Sequence, residues 1–189
     1  IFTKTNYNNP RQQKYPTVTG NVRRPHNKTT KMTGQHKYNL TIKWTVNKGQ
    51  GTKDYRSYDR SHALLIDGKQ DILCSSDPAF RGDNTKHNPE ELFLASISSC
   101  HMLWYLHLCA NNGIVVVDYS DNATGTMQET ENGSGHFTEV TLHPIVTVTD
   151  QTMIDKANEL HKKANEFCFI ANSCNFTIHH KPTCKTQNA

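Results

Sequence analysis

The feature that most constrains the fold is a long apolar segment with a sharply marked start, running from Asn88 to Gly113. Asn88 is a good helix N-cap, Pro89 suits the first helical position, and Glu91 completes a capping box. Apolar residues then occur on every side of the predicted helix, which is typical of a helix at the centre of a structure. One domain offers little cover for it, so we expect a partner subunit to cover part of its surface.

Charge is distributed unevenly along the 189 residues. Residues 1–53 hold 11 Lys or Arg and no Asp or Glu, whereas residues 54–189 hold 10 Lys or Arg against 17 Asp or Glu, a net charge of −7. A basic segment on an acidic body does not resemble a nucleic-acid-binding domain, because there the cationic surface belongs to the fold. We therefore expect no nucleic-acid partner.

Composition predicts a domain at 37–184, between an N-terminal extension at 1–36 and a short tail at 185–189. The extension is basic, Thr-rich and free of acidic residues, which fits either an organelle transit segment or a disordered leader. The first alternative predicts a mitochondrial or plastid protein and the second a cytoplasmic one. No uninterrupted apolar run reaches the length of a bilayer span, so we expect no membrane insertion.

Hydrophobic periodicity and turn residues predict strands around two helices, an α+β class with mainly antiparallel sheet. The predicted elements are a strand at 37–47, a short strand at 55–58, a hairpin at 63–74, the helix from 88, strands at 114–127 and 136–149 joined as a meander, a helix at 150–167, a strand at 176–180 and a tail at 182–189.

Six cysteines are present, and their spacing suits neither a disulfide scaffold nor a structural zinc site, since no Cys-x-x-Cys occurs. A metal site built from Cys and His remains a weaker hypothesis. Cys100 on the first helix and Cys168 at the end of the second are candidates for thiol redox chemistry. Cys174 lies near the second of these in sequence. Cys74, Cys109 and Cys184 are interpreted as packing or surface thiols.

A peroxide-reducing thiolate needs a cation to stabilise it and an anion to hold that cation. Glu90 could supply the anion, and Arg81 or Arg60 the cation. Glu90 and Cys100 are ten residues apart, about 15 Å along a continuous helix. Either the helix begins after a bend, or a symmetry-related chain completes the site.

The segment NPEELFLASISSCHMLWYLHLC, preceded by SSDPAFRGD and followed by CFIANSCNF, resembles the osmotically inducible protein C (OsmC) and organic hydroperoxide resistance (Ohr) family, closer to its OsmC branch. The similarity covers residues 37–182. It implies an intertwined homodimer in which antiparallel sheets wrap two central helices and the active sites lie between subunits.

The resemblance also implies roles for individual residues. Cys100 would be the peroxidatic cysteine, Cys168 the resolving cysteine and Glu90 the carboxylate that positions the cation. Arg81 occupies the OsmC-branch arginine position, and Arg60 fits the earlier strand used by the Ohr branch. The implied activity is reduction of organic hydroperoxides through a sulfenic acid and a Cys100–Cys168 disulfide, with an external dithiol, typically lipoyl-based, and no bound cofactor.

Two departures from the family pattern leave alternatives open. Phe169 stands where many members have proline, and Cys174 is a second possible resolving thiol. Trp104 and Tyr105 are most simply core aromatics, although they could line an apolar peroxide pocket. The alternative function is a non-enzymatic redox-sensing or ligand-binding protein on the same scaffold.

Overall fold

The computed structural model describes residues 34–187, and the chain divides into two units, Ile1–Tyr38 and Asn39–Ala189. Residues 1–33 of the predicted extension lie outside the described residues. All the elements belong to the second unit. The helices are α1 (Pro89–Asn111) and α2 (Ile154–Phe167), with single 3₁₀ turns at Pro78–Phe80, Gln151–Met153 and Ala171–Ser173. The strands are β1 (Thr41–Trp44), β2 (His62–Leu65), β3 (Ile72–Cys74), β4 (Val116–Asp121), β5 (Thr124–Glu129), β6 (Gly135–Leu142), β7 (Pro144–Val148), β8 (Thr177–His180) and β9 (Thr183–Thr186).

The strands form three three-stranded sheets, in the orders β1-β2-β3, β4-β7-β9 and β5-β6-β8. Strands β8 and β9 join β6 and β7 in parallel, and the other pairings are antiparallel. Two helices with mainly antiparallel sheets confirm the predicted α+β class.

Helix α1 begins as its sequence predicts. The side chain of Asn88 accepts a hydrogen bond from the backbone N–H of Glu91 at 2.7 Å, and the Glu91 carboxylate accepts one from the backbone N–H of Asn88 at 3.1 Å. At the other end Gly113 has φ of +70°, a conformation that suits glycine after a helix. Between these ends α1 is a single helix of 23 residues.

Helix α1 packs on two different sheets along its length. In its first half Ile97 contacts Val140 and Leu142 of β6. In its second half the fully buried Tyr105 belongs to a larger cluster with Val146 of β7 and with α2. The helix therefore joins the β5-β6-β8 sheet to the β4-β7-β9 sheet.

The two predicted long strands do pair with each other in antiparallel fashion, but the prediction that each is continuous is wrong, because each is broken where the chain passes from one sheet to the other. The Asp121 carboxylate accepts a hydrogen bond from the backbone N–H of His143 at 2.7 Å and another from the Ser98 hydroxyl at 2.5 Å. Pro144, the next residue, has no N–H to offer a strand ladder. The antiparallel partners are the same on both sides of the break, where β4 pairs with β7 and β5 pairs with β6, but the two halves belong to different sheets.

Two shorter predictions are also wrong. Residues 55–58 form turns rather than a strand, because the Asp54 carboxylate accepts the backbone N–H of Arg56 at 2.7 Å in a local turn. The predicted tail contains β9, in which Cys184 lies opposite Val146 at the edge of the core. The alternation of half-buried and exposed residues in this strand is too short to stand out from sequence alone.

Among the described residues, α1 is the one helix whose length and composition would allow it to cross a membrane. The central helix of a soluble fold meets the same criterion. In this structure α1 carries a buried stripe, formed by Ile97, His101, Tyr105, Leu108 and Cys109, that packs against its own chain.

We predict that Asn88→Ala lowers the free energy of unfolding by about 1 kcal/mol, because the backbone N–H of Glu91 at the start of α1 loses its side-chain acceptor. Urea unfolding followed by circular dichroism would measure the change. Asn84→Ala, in the exposed loop before the helix, is the matched control. Equal losses in the two variants would contradict a capping role for Asn88.

Candidate active site

The central feature of the site is a pair of thiols from the two helices. Cys168 is 1% exposed and follows the end of α2, while Cys100 is half-buried in the middle of α1. Burial, with a further contribution from the neighbouring Cys100 side chain, raises the pKa of the Cys168 thiol to about 12. At neutral pH Cys168 is therefore protonated. The structure thus brings together the two cysteines that the sequence singled out, in unlike environments.

The chain turn after α2 holds Cys168 in place. The helix ends because Cys168 is extended, with φ of −68° and ψ of 109°. Its sulfur then accepts a hydrogen bond from the backbone N–H of Ala171 at 3.3 Å, and its carbonyl accepts one from Asn172 at 2.9 Å. These bonds fix the sulfur on the side of the loop that faces α1.

Cys174 occupies a different environment. Its thiol donates to the carbonyl of Ile170 at 3.2 Å, and its side chain packs with the cluster around Ile97. This arrangement favours Cys168 over Cys174 as the partner of Cys100.

Glu90 lies in the first turn of α1, and one of its carboxylate oxygens is buried without a hydrogen-bond partner among the described residues. A buried carboxylate oxygen normally has a donor or a cation beside it. Because α1 is continuous, the bend considered above is absent, and Glu90 stands about 15 Å from Cys100 along one helix. In a single chain these two residues do not meet.

Arg60 is held firmly by its own loop. Its guanidinium lies over the rings of Tyr55 and Tyr58, at 4.3 and 4.1 Å from their centroids. It donates to the carbonyl of Tyr58 at 2.6 Å and to that of Tyr55 at 2.7 Å. Arg60 and Pro89, the neighbour of Glu90, line the same cleft of about 390 Å³. This cation is therefore oriented in advance near the start of α1.

Arg81 is exposed, and it is the one non-glycine residue with positive φ, +66°, in the part of the chain that the structure describes. Its loop is tight. A side chain at Gly82 would collide with the carbonyl oxygen of Ser76, and the backbone N–H of Gly82 donates to Asp77 at 3.0 Å. The guanidinium of Arg81 forms no ion pair with any residue in 34–187.

A pair of buried histidines, His101 and His161, escaped the sequence reasoning. His101 Nε2 and His161 Nδ1 lie 3.0 Å apart, and the two rings are nearly parallel with centroids 5.3 Å apart. Because the ring centres are so far apart for a nitrogen–nitrogen distance of 3.0 Å, the hydrogen bond lies nearly in the plane of both rings. His180 lies 4.5 Å from the His101 ring. The sequence did offer one signal that His101 is buried: it lies four residues before Tyr105 and so shares a helix face with this core aromatic.

The histidines are neutral at physiological pH. Burial, with smaller contributions from nearby histidines, lowers the pKa of His101 to about 3 and that of His161 to about 4. Within residues 34–187 no group of three or more His, Cys, Asp or Glu side chains could hold a metal ion. The nitrogens that join His101 and His161 point at each other rather than at a shared ligand.

Trp104, four residues after Cys100, contacts the rings of Phe167 and Phe169, the chain neighbours of Cys168, and we call these three rings the aromatic rim. Trp104 stacks on Phe167 with centroids 5.2 Å apart and meets Phe169 edge-on at 5.8 Å. Trp104 is half-buried, so the interpretation as a core aromatic holds fully for Tyr105 but only in part for Trp104.

The comparisons with known proteins agree with this fold. A sequence profile described as OsmC-like protein matches residues 82–183. An OsmC-like protein of unknown function from Vibrio cholerae is 30% identical, with a TM-score of 0.71 over 79% of this chain and 100% of its own. No curated protein matches the sequence.

Two solved structures under 25% identity share the fold. One is an organic hydroperoxide resistance protein from Elizabethkingia anophelis, 22% identical with a TM-score of 0.57 over 82% of this chain and 100% of its own. The other is the organic hydroperoxide resistance protein of Bacillus subtilis, 23% identical with a TM-score of 0.52 over 78% and 98%.

The architecture and the paired thiols define an α+β protein with two cysteines brought together by its central helices. The sequence match places it further: the chain belongs to the OsmC-like family, as the motif around Cys100 predicted.

We predict that stability falls as pH drops below about 6.5, the ordinary histidine value. The buried His101 and His161 bind protons only near pH 3 to 4 in the folded state, whereas in the unfolded chain they bind them near 6.5. Their contribution is complete above 6.5 and is lost as pH falls toward 4. Each histidine changes the free energy of unfolding by about 1.4 kcal/mol per pH unit in this window.

Urea unfolding at pH 7.5, 5.5 and 4.5 would measure this slope. His161→Gln should flatten it, whereas His136→Gln, at an exposed position, should leave it unchanged. The same slope in all three proteins would contradict the assignment.

Proposed function

We propose that this protein is a thiol-dependent peroxidase that reduces organic hydroperoxides to alcohols. The observation that carries the proposal is the adjacency of Cys100 and Cys168, close enough for one side chain to affect the pKa of the other. Relatives named as organic hydroperoxide resistance proteins share the fold and support the same activity.

In the proposed cycle, the Cys100 thiolate attacks the terminal oxygen of the hydroperoxide. The O–O bond breaks, the alcohol leaves with a proton, and Cys100 becomes a sulfenic acid. Cys168 then attacks the Cys100 sulfur, and the leaving hydroxide takes the Cys168 proton as water. An external dithiol, which we propose to be lipoyl-based, reduces the disulfide and restores both thiols. No bound cofactor takes part.

The unequal burial of the two thiols supports their unequal roles. A thiol with a pKa of about 12 is almost entirely protonated at pH 7, so Cys168 is a poor first nucleophile toward peroxide. Cys100 is the more exposed of the two and so the more accessible to substrate. These properties favour Cys100 as the peroxidatic thiol and Cys168 as the resolving one.

We propose that a second copy of the chain completes the site in a homodimer. This proposal is supported by the 15 Å separation of Glu90 from Cys100 and by the unpaired, buried oxygen of Glu90. Exposed apolar side chains on β1, Ile42 and Trp44 among them, also need cover that the described residues do not give. Of the two arginines, we propose Arg60 as the cation, because it is already oriented beside the start of α1.

We predict that Cys100→Ser abolishes reduction of cumene hydroperoxide with a dithiol as reductant. In the absence of the dithiol, Cys168→Ser should still react once with peroxide but accumulate a sulfenic acid on Cys100, because the resolving thiol is missing. Trapping with a cyclic 1,3-diketone and peptide mass spectrometry would detect the two outcomes. Cys174→Ser is the matched control and should keep turnover and the Cys100–Cys168 disulfide.

Reversible oxidation of Cys100 without turnover would instead favour the redox-sensing alternative. A disulfide from Cys100 to Cys174 in the wild-type protein would contradict the assigned resolving thiol.

We predict that Arg60→Ala lowers kcat/KM about 10- to 150-fold, since a charge-assisted contact contributes about 1.5 to 3 kcal/mol. It should also move the pH profile of Cys100 oxidation to higher pH, because the thiolate loses its cation. Arg56→Ala, an exposed arginine of the same loop, is the control. If Arg81→Ala shifts the profile and Arg60→Ala does not, the cation is Arg81.

A further inference from the structure

We infer that the aromatic rim makes this site selective for hydroperoxides that carry an aromatic ring, an inference that rests on the proposed function. The rim consists of Trp104 in α1, Phe167 at the end of α2 and Phe169 in the turn that follows α2. The inference concerns which organic group is favoured rather than the reaction itself.

The rim is placed where an organic group must pass or lie. Trp104 is four residues after Cys100, so both side chains project from the same face of α1 about one turn apart. Phe167 and Phe169 are the direct neighbours of Cys168 in the chain. A hydroperoxide with its oxygen at the Cys100 sulfur therefore has its organic group within reach of these rings.

The rings are open to a further aromatic group. Phe169 is 66% exposed and Phe167 is 41% exposed, whereas Cys168 between them is 1% exposed. Phe169 stands nearly perpendicular to Trp104, at 86°, and Phe167 lies nearly parallel to it, at 28°. The arrangement offers both a face and an edge to a bound ring.

Aromatic groups gain more from such a surface than saturated groups of similar area. Stacked and edge-on ring pairs add about 2- to 10-fold in binding beyond the effect of buried area. A saturated alkyl group gains binding only from the apolar area that it buries. The expected selectivity is therefore a higher kcat/KM for cumene hydroperoxide than for tert-butyl hydroperoxide, beyond the effect of size.

The decisive variant keeps apolar bulk and removes the ring. Phe169→Leu should lower kcat/KM for cumene hydroperoxide about 5-fold and leave that for tert-butyl hydroperoxide within twofold. Trp104→Leu should lower the same ratio. Leu103→Ala is the matched control, an exposed apolar side chain of α1 outside the rim, and it should leave the ratio unchanged.

Two results would overturn the inference. One is an unchanged ratio in both rim variants. The other is a shift of Phe169→Leu toward smaller species in sedimentation without a change in the ratio, which would identify the rim as a contact between subunits.

A binding measurement decides the inference even if no hydroperoxide is reduced. The chain has two tryptophans, so Trp44→Phe leaves Trp104 as the single indole fluorophore. In this variant 2-phenyl-2-propanol should change the Trp104 fluorescence saturably, and tert-butanol at equal concentration should not. Equal responses to the two alcohols, or none to either, would contradict aromatic selectivity, whereas absence of peroxide turnover alone would count only against the proposed activity.

Discussion

The rest of the fold depends on covering the apolar surface of one long helix, α1. Helix α1 satisfies part of this requirement by packing Ile97 against one sheet and Tyr105 against another, with α2 closing the second contact. The helix therefore packs on both sheets, in addition to the chain crossings that connect them directly. The same arrangement puts the end of α2 beside the middle of α1, so Cys168 reaches Cys100 as a by-product of burying apolar surface.

The continuity of α1 also limits how one chain can use its candidate site residues. A continuous helix keeps the Glu90 carboxylate and the Cys100 sulfur a fixed distance apart, so one chain cannot use both at a single reacting atom. Arg60 shows a related feature, because its guanidinium is already ordered by two tyrosine rings before any anion is present. A preorganised cation and an unpaired buried carboxylate oxygen are complementary parts, and they fit the proposed assembly of two chains.

Local signals allowed the helices and the first hairpin to be predicted, whereas the pairing of Cys100 with Cys168 was predicted mainly from the family resemblance. Both hydrogen bonds of the capping box lie between Asn88 and Glu91, so they depend on local sequence and not on tertiary contacts. The break between β6 and β7 was missed because it depends on Asp121, 22 residues from His143. The buried bond between His101 and His161 joins residues 60 apart, and no periodicity reports such a contact. Strand β9 was missed because it forms only by pairing with β7, about 40 residues earlier in the chain.

The parallel addition of β8 and β9 affects the order in which the molecule can be completed. Both sheets are finished by residues 177–186, so until these pair, β6 and β7 each present an open edge. Open edges are templates for pairing with other chains, and contacts between distant segments form slowly. We therefore expect the pairing of residues 177–186 to be a late step that completes the two sheets. Chains truncated before residue 177 should be prone to aggregation, although they contain both Cys100 and Cys168.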